Sequence, residues 1–146
     1  MKISTRLLFT ICALLLLSQF DVRGKEPLPK DWRPDLDLVA RSIEKDLEQS
    51  KAQQEMNLLS GLLAKVRDAE LEIAYLRLYA ALSKANRVRL RADQTIWLKK
   101  REREVEDTTP KDGTRGTIAP LEENETFLKV TEARTRELQA RLQKLP

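Results

Sequence analysis

The chain has 146 residues, with 27 Lys and Arg against 23 Asp and Glu, no His and one Cys. That length gives one domain, and the interleaved charges lack the one-sided Lys/Arg cluster of a nucleic-acid binder. With no histidine and the only thiol at Cys12, Cys–His and Ser–His–Asp catalysis are excluded, as are metal sites built on Cys or His; only carboxylate chemistry would survive.

Residues 1–24 read as a secretory signal peptide. Lys2 and Arg6 form a basic n-region, Leu7–Leu17 ("LLFTICALLLL") an apolar h-region, and Val22 and Gly24 a short c-region. The run is shorter than the roughly 20 residues of a membrane span, so an uncleaved anchor is the weaker alternative. Cys12 lies inside the h-region, which is the wrong place for lipid attachment. Cleavage would remove it together with Lys2, Arg6, Arg23 and Asp21, leaving a nearly neutral, thiol-free mature chain without stable membrane insertion. The expected location is the periplasm or the exterior.

Residues 25–34, "KEPLPKDWRP", carry three prolines and read as a linker in which Trp32 either docks or lies exposed. From Asp35 the pattern is helical: Val39, Ile43 and Leu47, then Met56, Leu59, Leu63 and Val66, recur at i+3/i+4 spacing. A first helix is expected over about 36–83, with Gly61 either kinking it or admitting a neighbour. Ser83–Asn86 is a weak break, and a second helix follows over about 86–106. Thr108–Gly113 stops it, 107–123 is expected as a loop, and a third helix over about 124–144 places Phe127, Leu138 and Leu142 on one stripe. No segment alternates with period 2. The expected fold is all-α: a long antiparallel hairpin with a C-terminal helix packed on it, in a single domain over 35–146. A turn near 84–85 sets residue i opposite roughly 169 − i, which pairs Arg101 with Asp68, Gln94 with Tyr75 and Trp97 with Leu71.

Four stretches in order, "QQEMNLL" (Gln53–Leu59), "DAELEIAYLRLYAAL" (Asp68–Leu82), "LRADQTIWLKKRE" (Leu90–Glu102) and "FLKVTEARTREL" (Phe127–Leu138), resemble the N-terminal domain of the LprI-type lysozyme inhibitors, small exported bacterial helical proteins. The resemblance implies a non-enzymatic inhibitor that binds a protein partner, with Asp68, Leu71, Tyr75, Gln94, Trp97, Arg101, Thr131 and Arg134 as motif residues. The family's cysteines are absent. Leu47, Leu59, Val105 and Thr126 stand in their places, and the resemblance implies that Leu59 lies near Val105 and Leu47 near Thr126 without bonds. Two lost crosslinks would cost about 2–4 kcal/mol each. Asn124-Glu125-Thr126 spells a glycosylation sequon, which a bacterial origin would make irrelevant.

Gln94, Trp97 and Arg101 have two readings: a seam between helices, or an aromatic–arginine hot spot for a partner. Asp68, Glu70 and Glu72 are poor candidates for acid/base work, since the arithmetic already gives Asp68 to Arg101. Glu102, Glu104 and Glu106 oppose the helix dipole at a helix end; they form either a solvated face or, joined by Glu122, Glu123 and Glu125, a patch for a basic partner. Arg115 is the side chain that the loop would present for recognition. No cofactor and no metal are expected. The leading function is an exported binding protein that inhibits lysozyme or a related cell-wall hydrolase. The alternative is a structural or envelope-stress helical module with no enzyme target. Many lysozymes are strongly basic and this chain is not acidic overall, so inhibition would need the local acidic patch. Monomer and homodimer both remain open.

Overall fold

A computed structural model describes residues 36–108 and 116–145. The expected signal peptide and linker with Trp32, and Arg115, lie outside these residues. The described residues form α1 (Leu36–Gln49), α2 (Gln53–Ala81), α3 (Lys84–Glu106) and α4 (Ala119–Gln143), with no strand among them. The class is all-α.

The helix expected over 36–83 is two helices. Ser50, Lys51 and Ala52 leave the helix, with Ala52 extended at φ −95 and ψ 125. Ser50 Oγ donates to Glu55 Oε2 at 2.7 Å and fixes the entry to α2. The break has a sequence signal: between Leu47 and Met56 the apolar stripe lapses into polar residues, with only Ala52 among them. α1 then folds back along α2, so that Asp37 and Glu44 both reach Arg67. Gly61 does not break the helix, which runs continuously over Gln53–Ala81. It sits within α2 where α4 comes close, and a Cβ built on it would meet Asn124 Nδ2 at 3.6 Å, an ordinary contact.

α3 begins at Lys84, two residues earlier than expected, because Arg87 caps the end of α2. Its Nε donates to the Tyr79 carbonyl and its Nη2 to the Ala80 carbonyl, both at 2.9 Å. These two carbonyls belong to the last turn, where carbonyls lose their intrahelical i+4 partners; that of Tyr79 also accepts from the Leu82 N–H at 3.3 Å. α4 begins five residues earlier than expected, at Ala119. Pro120 occupies its first turn, where a missing N–H costs nothing and the fixed φ suits a helix. The loop expected over 107–123 is shortened accordingly.

The register of side-chain bonds gives the directions. Asn124 meets Ser60 and Glu132 meets Arg67, so α4 runs parallel to α2. Arg101 meets Thr131 and Asp93 meets Arg141, so α3 runs antiparallel to α4. The densest packing is α2 against α4, followed by α1 on α2 and α3 on α4. α4 covers the apolar face of α2, while α2 and α3, joined by the short turn, meet through Asp68 and Arg101 and through Leu90 in the core, with a looser backbone approach. The core is Leu71, Ala74 and Leu78 from α2, Leu90 from α3 and Leu138 from α4, with Tyr75, Trp97 and Leu142 packed around it. Leu90 is the only buried residue of α3. No described helix is long and apolar enough to cross a membrane.

Candidate functional site

Arg101 projects from α3 into the space between α2 and α4. Its Nη1 donates to Asp68 Oδ1 at 2.6 Å and to Thr131 Oγ1 at 3.1 Å. Its guanidinium lies 4.3 Å from the centre of the Phe127 ring and 5.0 Å from that of Trp97. The side chain is 13% exposed against 48% for Asp68, so the carboxylate stays wetted while the cation is held between aromatic faces. Cation–π contacts of this kind strengthen as solvent is excluded.

Three residues beyond Thr131 on α4, Arg134 also approaches Trp97, 5.6 Å from the ring centre. It is 4% exposed, and every edge of it is used. Nε donates to Gln94 Oε1 at 3.1 Å, Nη2 to Asp93 Oδ2 at 2.8 Å and Nη1 to Glu137 Oε2 at 2.8 Å. Gln94 was expected to bond Tyr75; its amide oxygen is taken by Arg134 instead. The reason is α4, which comes closer to α3 than α2 does. Tyr75 stacks at a tilt on Tyr79, with centroids 6.0 Å apart. Asp93 also accepts from Arg141 at 2.9 Å. Burial works against its charge, but the hydrogen bonds and charges of Arg134 and Arg141 outweigh it and hold the carboxyl below its ordinary value. Thr131 is fully buried, and Thr135 Oγ1 donates to the Thr131 carbonyl at 3.0 Å. Asp68, Gln94, Trp97, Arg101, Thr131 and Arg134, distant in sequence, thus meet in one network on the flank of the core. Between α2 and α3 a groove of about 360 Å³ remains, lined by Leu71, Glu72, Tyr75, Thr95 and Leu98 beside Asp68 and Arg101.

Two further networks escaped the reading of the sequence. Arg67 gathers Glu44 at 2.8 Å, Glu70 at 2.9 Å, Glu132 at 3.4 Å and Asp37 at 3.5 Å, and so ties α1 and α4 to α2. Burial opposes its charge; Glu70 and Glu44 outweigh that and raise its pKa above the ordinary arginine value. The Arg67–Glu70 spacing of three is a visible helical pair, whereas the three distant acids have no local signal. At the other end, Gln53 Nε2 donates to Asn57 Oδ1 at 2.9 Å, Asn57 Nδ2 to the Thr117 carbonyl at 2.8 Å, and Asn124 Nδ2 to Ser60 Oγ at 2.9 Å. These bonds clip the start of α4 onto α2.

Of the three carboxylates considered for acid/base work, Asp68 and Glu70 are held by arginines. The described residues hold no group of three or more His, Cys, Asp or Glu arranged to take a metal ion. The acidic residues behave differently. Glu102 and Glu106 are exposed at the end of α3, and Glu122 and Glu125 are exposed at the start of α4. The antiparallel register of these helices brings the two pairs to the same end of the molecule. Glu104 is partly covered and pairs with Lys100 at 3.2 Å.

A family model described as Lysozyme inhibitor LprI matches residues 44–138, a span that contains all six residues of the Trp97 network. No curated protein and no solved structure matches the chain.

Proposed function

This chain belongs to the lysozyme inhibitor LprI family, and from that premise we propose that it is an exported, non-enzymatic binding protein that inhibits lysozyme or a related cell-wall hydrolase. Export rests on the basic and apolar N-terminal segment. The observation that carries the reading is the acidic end: Glu102 and Glu106 of α3 stand exposed beside Glu122 and Glu125 of α4. These exposed carboxylates can pair with cations of a basic enzyme and favour its docking, while the neighbouring exposed Lys99, Lys100 and Arg103 reduce any long-range steering. Of the other sequence candidates for partner contact, Trp97 and Arg101 are partly buried at the joint between α3 and α4, and Arg115 lies outside the described residues.

The test is inhibition of a basic lysozyme by the purified protein and by a variant carrying Glu102→Gln, Glu106→Gln, Glu122→Gln and Glu125→Gln. The wild type inhibits, and the variant inhibits about tenfold less or worse, since each close interfacial charge pair contributes on the order of 1 kcal/mol or more. Equal inhibition by the variant removes the acidic end from the interface. No inhibition by the wild type, against lysozyme and other wall hydrolases alike, favours the structural or envelope-stress module.

A further inference from the structure

α2 carries a second stripe, on the side away from the core. Leu58, Leu62, Lys65, Ala69, Glu72 and Leu76 recur at alternating spacings of four and three, so they share one face. Each stands two residues, about 200° around the helix, from one of the buried Ser60, Leu63, Leu71 and Ala74. The stripe is therefore the back of α2. α1 and α3 attach at its flanks, through Arg67 and Asp68, and leave Leu58 63%, Leu62 41% and Leu76 45% exposed. Lys65 and Glu72 are exposed too, and neither has an ion-pair partner among the described residues.

The stripe is nearly symmetric about Ala69. Leu62 lies seven residues before it and Leu76 seven after. Lys65 lies four before it and Glu72 three after. In a two-fold interface each residue meets the symmetry-related position of the other copy. Two α2 helices laid antiparallel across Ala69 therefore set Leu62 on the partner's Leu76. They also bring Lys65 level with the partner's Glu72 to within about 1.5 Å, one residue's rise. A parallel pair would set lysine on lysine and glutamate on glutamate, which repel. The small side chain of Ala69 at the crossing point lets the two axes come close.

We propose that the back of α2 binds a second copy of this chain, antiparallel, with Ala69 on the two-fold axis. Leu62 and Leu76 of each copy close the interface, and two Lys65–Glu72 pairs fix its direction and register. The carboxylates of the acidic end belong to α3 and α4, so the dimer does not depend on the inhibitory role.

Sedimentation equilibrium of the purified protein reads mass against concentration. The wild type rises from one chain mass towards two across the micromolar range. Leu76→Glu, at an exposed position, keeps the helical circular dichroism and weakens association about tenfold or more, because a carboxylate is then buried against Leu62. Glu72→Lys weakens it about threefold or more, a modest loss because exposed ion pairs are individually small. Adding Lys65→Glu to that variant restores association, since the reversed pairs fit as the originals do. Ala69→Cys, in a chain that also carries Cys12→Ser, forms a disulfide-linked dimer on mild oxidation, which requires facing Cα atoms within about 7 Å. Ala92→Cys, exposed on α3, crosslinks far more slowly in the same background. The proposal is overturned if the wild type stays a single chain at about 100 μM, if Leu76→Glu associates as tightly as the wild type, if the second charge reversal fails to restore association, or if Ala69→Cys crosslinks no faster than Ala92→Cys. A single-chain wild type whose lysozyme inhibition is lost in Leu76→Glu also overturns it, and gives the stripe to the enzyme instead.

Discussion

Arg101 and Arg134 show how one residue type joins helices that have little apolar surface to share. Each guanidinium offers a flat face to Trp97 and N–H donors to acceptors on neighbouring helices. Lysine can reproduce the charge but neither the stacking nor the forked geometry. Arg101→Lys is therefore expected to lower stability by about 1–2 kcal/mol: the half-exposed pair with Asp68 contributes up to about 1 kcal/mol and the aromatic contacts about as much. Urea unfolding with an unchanged denaturant slope measures it, and a variant as stable as the wild type would leave the stacking without energetic weight. Asp93 supplies a pH signature. Its folded pKa lies below the ordinary value of 3.8, so its contribution is fully present above that value and is lost as pH falls through the lower, folded pKa. Asp93→Asn is expected to be less stable than the wild type at pH 7, with the difference closing in that acid range. A constant difference down to the acid limit would contradict the linkage. The Asp68–Arg101 pair was legible in the sequence because a short turn fixes the register. The partner of Gln94 was not, because it sits on a helix separated from α3 by a long connection.

At the scale of the element, α3 is the least anchored helix. Leu90 alone is buried on it, while Val88, Ile96 and Leu98 are exposed. Leu90→Ala removes its one buried apolar anchor and is expected to cost about 2–5 kcal/mol, the range for large-to-small changes in a core. Amide exchange should accelerate along α3 more than along α2. Uniform acceleration would mean that α3 does not open separately. Gly61 gives the opposite case. It lies inside a continuous helix with ordinary space at its Cβ position, so Gly61→Ala is expected to add about 0.5–1 kcal/mol through the smaller loss of backbone freedom. A lower melting temperature would show that Asn124 cannot accommodate the methyl group. Helical periodicity was easy to read in α2 and α4, which carry dense apolar stripes. The α1–α2 break was missed because Ser50 and Ala52 are weak punctuation, and the start of α4 was missed because Pro120 marks a first helical turn as readily as a loop.

Across the whole molecule the charges stay mixed: at the end where α3 finishes and α4 begins, the exposed Glu102, Glu106, Glu122 and Glu125 stand with the exposed Lys99, Lys100, Arg103 and Lys129. If the four carboxylates contact a basic lysozyme, inhibition is expected to weaken between low salt and about 0.15 M, where screening falls to roughly 8 Å; salt-independent inhibition would place the interface away from them. The sequence by itself determined the helical class, the lack of any histidine, the family, and the opposition of Asp68 and Arg101. Each of these depends on residue type or on spacing within one helix or across one tight turn, where the backbone geometry is nearly fixed. Only the tertiary structure decided that α4 lies against both α2 and α3, that Arg101 and Arg134 both approach the Trp97 ring, and that Arg67 collects four acids. Those outcomes depend on how separate helices rotate and slide as their apolar faces come together, and no local spacing encodes that.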